Sequence, residues 1–390
     1  MPTILGRALD YQSQLKVLQW MSPVKRYDMR AAGMTALDTA NNKAPLYFDF
    51  IEIQRNQVIL HDVRTTWEVF GRLPDGKTFQ FPGLQPGRGA PYDVDKYGRR
   101  EEDPHLEQGD ISIEDPVMAN EEVLPIPENP VDGVEFYLKR TTRNHRTGKV
   151  EVAISRPGMK IRDALRLHVE RVVGTLDRSV FVERFSVQNT RIVFRLPVGL
   201  KLHVEELCYQ ANGNNLINGL LPIFTHPIKY MFLQVRHMDD QVFRNPTFRN
   251  CPRVFVCLPA NQMWWSGVLR ELEIPELVLF RSELIPRDLT TLASFWMEDH
   301  KRIGTTVSCL TRNVEAYLQD FAELPGVYKT VNPRSNSSYG FALSVKIDYA
   351  SVICIYGAHA YCSVKRLLNQ WDCEMIVMEV MDIQKMERLE

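Results

Sequence analysis

The chain has 390 residues, of which 44% are hydrophobic and 24% charged, with 47 Lys and Arg against 48 Asp and Glu. These are globular values, and the length allows one large core or two to three ordinary ones. No run approaches the roughly 18 apolar residues of a membrane helix. The first residues also lack the basic-then-apolar order of a signal peptide, so no membrane insertion is expected.

The seven cysteines are Cys208, Cys251, Cys257, Cys309, Cys354, Cys362 and Cys373, an odd number with no C-x-x-C pair. They make neither a disulfide framework nor a zinc ribbon, and fit buried thiols in a reducing compartment. An intracellular site, in cytoplasm, nucleus or a virion, is the expectation.

In chain order, Leu5, Ala8, Tyr11, Leu15 and Leu18 recur at helical spacing, which predicts an amphipathic helix within 4–20. Residues 35–44 read as a loop. Leu46–Ile53 and Val58–Val63 are short strands. Trp67–Leu73 and Thr78–Phe81 flank Pro74-Asp75-Gly76, a hairpin turn in which Gly supplies positive φ.

Residues 82–133 are rich in Pro and Gly and lack periodicity, so they read as a linker, arm or long loop. An acidic strap overlaps their second half. Residues 101–135 carry twelve acids, five prolines and no Lys or Arg, and the rest of the chain holds 47 basic against 36 acidic residues. A near-neutral total thus hides a basic body. The strap is expected to extend over a basic surface, its own or a neighbour's.

Strands resume at Val134–Arg140 and Val150–Ile154, joined by the turn Asn144–Gly148. After Pro157-Gly158, residues 160–173 read as a helix with Ile161, Ala164, Leu165, Val169, Val172 and Val173 on one side. Val180–Val187 and Arg191–Leu196 are strands, Leu200–Gln210 reads as a short helix, and Ala211–Asn218 as a loop. Ile228–Val235, Val254–Leu258 and Leu277–Phe280 are strands. Leu289–Glu298 fits either helix or strand, and 324–338 reads as a loop. The C-terminal block places strands Phe341–Ile347, Ala350–Tyr356 and Met375–Met381 around a helix near Val364–Gln370, with a helical tail Gln384–Glu390. The words LRLHVER (165–171) and LKLHVEE (200–206) echo each other without forming a repeat.

Gly71, Gly76, Lys77 and Thr78 satisfy G-x-x-x-x-G-K-[ST], the loop that cradles phosphates at a helix N-terminus. Here Phe79-Gln80-Phe81-Pro82-Gly83 follows, a strand that Pro82 ends, so a hairpin is the simpler reading. His203, Glu205 and Glu206 resemble half of a zinc-hydrolase helix, but no second His stands at i+4. His168 with Glu170 is equally incomplete. Asp239-Asp240 after His237 fits a turn better than a cation site. Met263, Trp264 and Trp265 fit an exposed patch or the core. No complete catalytic motif is present, so a non-enzyme without cofactor is expected.

Basic residues crowd the stretch 139–171: Lys139, Arg140, Arg143, Arg146, Lys149, Arg156, Lys160, Arg162, Arg166 and Arg171, against Glu151, Asp163 and Glu170. Such a patch suits an acidic protein segment or nucleic-acid phosphates. Aromatics for base stacking are not interleaved, so any nucleic-acid contact would be non-specific.

From Val134 to about His300, the order hairpin, Pro157-Gly158, helix, two strands, Pro197-Val198-Gly199 and apolar strand Tyr230–Val235 resembles the penton-like minor capsid proteins of polinton-type and related double-stranded DNA viruses. That resemblance implies a jelly-roll and a role in assembly. The expected fold is mainly β with a few helices, a β-sandwich or jelly-roll core and a long arm. The expected blocks are 1–82, 83–133, 134–323 and 324–390. The expected function is a structural or assembly protein working through homo- or hetero-oligomeric contacts. The alternatives are a nucleotide-binding or metal-dependent enzyme using Gly71–Thr78, or a nucleic-acid-associated protein using the 139–171 patch.

Overall fold

Alternating and continuous apolar runs in this chain become strands far more often than helices. The computed structural model describes residues 3–4, 7–8, 10–23, 25–26, 29, 38–101, 107–108, 110–113, 132–173, 179–188, 192–209, 213–235, 241–257, 265–280, 286–311, 313–333, 339–359 and 374–388. It is mainly β. The chain divides into two compact units, the first spanning 1–211 with 215–227 and the second 212–214 with 228–390. The division lies near 211–228, away from the block boundaries that composition indicated.

The first unit opens with a two-stranded ribbon, β1 (Thr3–Ile4) and β2 (Arg7–Ala8), and helices α1 (Tyr11–Gln19) and α2 (Asp38–Lys43). Asp10 caps α1 by accepting from the Ser13 N–H, so the helix starts later than its apolar spacing predicts. Its strands are β3 (Leu46–Gln54), β4 (Gln57–Leu60), β5 (Val63–Arg72), β6 (Thr78–Phe79), β7 (Asp110–Ile113), β8 (Glu135–Asn144), β9 (Val150–Ile154), β10 (Val180–Val187), β11 (Ile192–Arg195) and β12 (His203–Tyr209). The main sheet runs β12-β10-β3-β4-β5-β8-β9, with β6 on β5. β10 pairs in parallel with both β3 and β12. The remaining pairs of this sheet are antiparallel.

Helix α3 (Ile161–Val173) buries Ile161, Ala164, Leu165, Val169, Val172 and Val173, the face that spacing selects. Asp163 in its first turn and Arg171 in its last suit the helix dipole. The edge of His168 meets Trp67 of β5 at 5.5 Å between ring centroids. Residues 83–101, read as part of a linker, fold onto this sheet instead. Ala90, Tyr92 and Val94 are buried, and Ala90 bridges Val69. Gly89 is needed there: a Cβ would stand 2.6 Å from the Phe70 ring and 2.8 Å from the Val69 carbonyl.

In the second unit, β13 (Tyr230–Gln234), β14 (Arg253–Cys257), β15 (Glu276–Phe280) and β16 (Thr306–Thr311) form a parallel ladder. Helices α5 (Pro246–Arg249), α6 (Trp265–Glu271) and α7 (Pro286–Glu298) lie in the three crossovers, while α4 (Gly213–Leu220), which precedes them, belongs mostly to the first unit. The sheet continues antiparallel through β20 (Glu374–Asp382), β19 (Ser351–His359), β18 (Phe341–Lys346) and β17 (Tyr328–Val331). Helix α8 (Val314–Ala322) buries Val314, Leu318 and Phe321, and α9 (Ile383–Glu387) closes the chain.

The β-rich expectation holds, but the strand order gives no jelly roll. A jelly roll pairs its neighbours antiparallel, whereas β10 pairs in parallel with β12 across a connection that holds β11, and β13–β16 pair in parallel through helical crossovers. His203–Tyr209, within the expected helix Leu200–Gln210, is strand, the start of α4 falls within the expected loop Ala211–Asn218, and the loop 324–338 contains β17. The 35–44 loop contains α2, and Leu289–Glu298 is helical within α7. Cys208, Cys251, Cys257, Cys309 and Cys354 are buried cysteines, and burial pushes the Cys309 thiol up to about 12. The helix expected near Val364–Gln370, Cys362 and Cys373 lie outside the described residues. No helix among the described residues is long and apolar enough to cross a membrane.

Burial, reinforced by the charges of Arg140 and Arg171, lowers the His168 imidazole from 6.5 to about 4. The folded chain therefore holds fewer protons there than the unfolded chain between those values. Stability should fall by roughly 1–3 kcal/mol as pH drops from about 6.5 to about 4. Urea unfolding across that range should show the loss, and His168→Phe should flatten it.

Candidate interaction surface

The acidic strap enters the fold at its start. Glu101 lies 3.2 Å from Lys160 Nζ and 3.3 Å from Arg162 Nη1. Arg162 also lies 3.9 Å from Asp93. The Asp93 carboxylate accepts from the Ile161 N–H at the start of α3, and burial raises its pKa against those favourable contacts. Further along the strap, β7 pairs antiparallel with β11. Arg195 of β11 donates Nε–H and Nη2–H to Asp110 at 2.5 and 2.9 Å, a two-point contact. Its Nη1 reaches Asp163 of α3 and Glu107, each at 2.8 Å.

The Arg195 side chain is 3% exposed and that of Asp110 1%. Burial raises Asp110, but the Arg195 guanidinium and the Glu107 N–H outweigh it, and the carboxyl is lowered overall. Ile111 packs so closely on Gly219 of α4 that a Cβ there would meet its methyl at 2.9 Å. The strap thus lies on basic surface of its own chain at Glu101, Glu107 and Asp110. Residues 114–131 lie outside the described residues.

The predicted basic patch divides. Lys160 and Arg162 are held by the strap as above. Arg140 faces inward from β8 toward the side of the sheet that carries buried Trp67 and Leu138. Lys139 and Arg143 face outward. Arg146 and Lys149 sit at the exposed hairpin tip, where Lys149 bonds Glu151 at 2.7 Å, and Arg156 is exposed beyond β9.

Strand registers build the outward face row by row. Val150 stands beside Arg143 and Arg64, Val152 beside Thr141 and Thr66, and Ile154 beside Lys139 and Glu68. Lys139 Nζ lies 5.3 Å above the Phe70 ring, which stacks on Tyr137. At the end of this sheet Val150, Val152 and Ile154 are 49%, 57% and 69% exposed. Three adjacent branched side chains in water, on an edge strand, form the clearest apolar exposure in the first unit. Alternation in Val-Glu-Val-Ala-Ile was the sequence signal for it.

The other candidates fall elsewhere. Gly71, Gly76, Lys77 and Thr78 lie on the β5–β6 hairpin, with Gly76 at φ +85° and Lys77 paired to Asp75 at 2.8 Å. No helix follows Thr78, so the phosphate-cradle geometry is absent. Gly71 is there for packing, since a Cβ would meet Phe79 Cβ at 2.7 Å. His203, Glu205 and Glu206 lie on a strand, where neighbours alternate faces and cannot converge as on a helix. Glu206 takes a two-point contact from Arg184 on β10 at 2.9 and 3.1 Å. His203 joins a row of rings: Tyr47 and Phe181 stack at 4.9 Å, Phe181 meets His203 at 5.1 Å, and His226 follows at 4.0 Å. Among the described residues no group of His, Cys, Asp and Glu converges as metal ligands. Trp265 is buried core, while His237, Asp239, Asp240, Met263 and Trp264 lie outside the described residues.

Residues 160–313, less than half of the chain, match the family model of a domain of unknown function, DUF3557. The matched stretch runs from α3 to the end of the parallel ladder β13–β16. No curated protein and no solved structure matches the chain.

Arg195→Leu should cost about 3–5 kcal/mol in urea unfolding, because it strands the buried Asp110 charge. Glu107→Gln, at an exposed partner, should cost less than about 1 kcal/mol. Adding Asp110→Leu to Arg195→Leu should recover part of the loss. At the hairpin, Gly71→Ala should destabilise by about 1–3 kcal/mol through overpacking. Lys77→Ala, on an exposed side chain, should stay within about 0.5 kcal/mol by the same measurement.

Proposed function

We propose that this chain is a structural or assembly protein that works through protein–protein contacts made on the outward face of β5, β8 and β9. The observation that carries this reading is the row Val150, Val152 and Ile154, exposed on a terminal strand and flanked by Lys139 and Arg143. An apolar row bordered by cations suits a protein partner with an apolar centre and an acidic rim. The strap supports the same reading, since its acids show that this chain already matches carboxylates to basic side chains of the 139–171 stretch.

Nucleic acid is a weaker reading of the same surface. Lys160 and Arg162 are paired with carboxylates, Glu68 stands beside Lys139 on the outward face, and Lys149 is paired with Glu151. Phosphate binding favours an unbroken positive field. The narrower idea of a capsid component rests on jelly-roll element order, which the parallel ladders do not supply.

Sedimentation of the native protein in extracts of its own cells tests the reading. The protein should travel in a species larger than its 45.1 kDa chain. A variant carrying Val150→Asp, Val152→Asp and Ile154→Asp should keep its circular dichroism and shift to the free chain. Native protein that sediments as a free chain, or a variant that still assembles, overturns the reading.

A further inference from the structure

We propose that the open edge of β9 pairs with β9 of a second copy, in one antiparallel register centred on Val152. The inference rests on the reading above and names the partner.

The free side of β9 is defined by its bonds. Asn144 N–H donates to the Lys149 carbonyl, and Ser155 N–H donates to the Leu138 carbonyl. Lys149 and Ser155 therefore face β8, and so do Glu151 and Ala153 between them, since hydrogen-bonding direction alternates along a strand. Val150, Val152 and Ile154 turn their N–H and C=O groups to the open edge. Among the described residues β8 is the one strand paired with β9. Positions 150–154 contain no Pro and no Lys, the usual blocks on such an edge.

A second copy must therefore bond through the same three positions. With Val152 opposite Val152 of the second copy, Val150 faces Ile154 and Glu151 faces Ala153, and all five residues are paired. Shifting one step toward the N-terminus sets Glu151 against Glu151, a like-charge contact. Shifting the other way sets Val150 against Arg156, beyond the end of the strand. The centred register alone has full overlap without a charge conflict.

That register also matches charges. Arg140 lies directly across from Ala153 on β8, and its field already lowers the Glu151 carboxyl, after the larger effect of Lys149. In the pair, Glu151 of the second copy stands on the far side of Ala153. Arg140 and that Glu151 are then two strand spacings apart, roughly 10 Å between backbones, with only a methyl group between them. Both long side chains can meet across it, twice by symmetry. On the outward face, the valines and isoleucines of both copies join into one apolar strip. Five paired residues are a small contact beside the about 800 Å² per partner of a standard interface, so the dimer should be reversible.

Sedimentation equilibrium of the purified full chain should show monomer passing to dimer as concentration rises. The amides of Val150, Val152 and Ile154 should slow in hydrogen exchange over the same range. Val152→Pro removes an N–H that faces the open edge and leaves the β8 ladder intact. It should abolish the dimer at unchanged thermal stability. Val152→Lys, whose side chain faces solvent, serves the same purpose if the proline variant does not fold. Glu151→Lys should weaken dimerisation at least about tenfold, and adding Arg140→Glu should restore most of it. A chain that stays monomeric throughout, a dimer unaffected by both Val152 variants, or unslowed amides overturns the inference. A purified monomer whose large species in extract still depends on the Val150, Val152 and Ile154 row would overturn only the second copy as partner.

Discussion

Arg195 is the residue on which the order of the acidic strap depends. A guanidinium 3% exposed is tolerable only where carboxylates surround it, and Asp110, Asp163 and Glu107 do so. Asp110 is itself buried, so neither charge can keep its place without the other. Because Asp110 comes from β7 and Asp163 from α3, the contact ties the strap, β11 and the helix together. The strap's acidity thus has a structural use: it neutralises cations that the first unit would otherwise bury or expose at a cost.

Much of this architecture was legible locally. The face of α3 follows from Ile161, Ala164, Leu165 and Val169 at helical spacing, and β5 and β8 follow from alternation. The parallel ladder was not legible. Val254–Cys257 and Leu277–Phe280 are buried along their length, so they read as strands without revealing direction. Pairing over tens of residues leaves no trace in either strand. Residues 83–101 misled for a different reason. Their Pro and Gly read as loose chain, yet Gly83, Gly87 and Gly98 take positive φ in tight turns, and Gly89 admits close packing.

The candidate surface was half legible. Charge counting located both the strap and the basic stretch, and Glu101 does meet Lys160 and Arg162. Arg195 lay outside the dense basic run, in a short strand of apolar neighbours, so nothing in its surroundings singled it out. Nor can a list of basic residues say which face each takes. Lys139 and Arg140 are adjacent in sequence and stand on opposite sides of the sheet.

The two units treat their terminal strands differently. β17 ends the sheet of the second unit with Tyr328 and Val331 exposed, but Lys329 lies within the strand and Pro333 follows it. Lysine and proline on an edge hinder pairing with another chain. β9 carries its lysine and proline outside the strand, at Lys149 and Pro157, and keeps 150–154 free of both. The flanking residues limit the length of any added strand and leave its centre open. An unguarded edge of this kind invites indiscriminate association unless charge restricts what can pair. Glu151 on the inner side and Lys139 with Arg143 on the outer side supply that restriction. Under the proposed pairing, the open edge is a contact the chain keeps available rather than one it failed to protect.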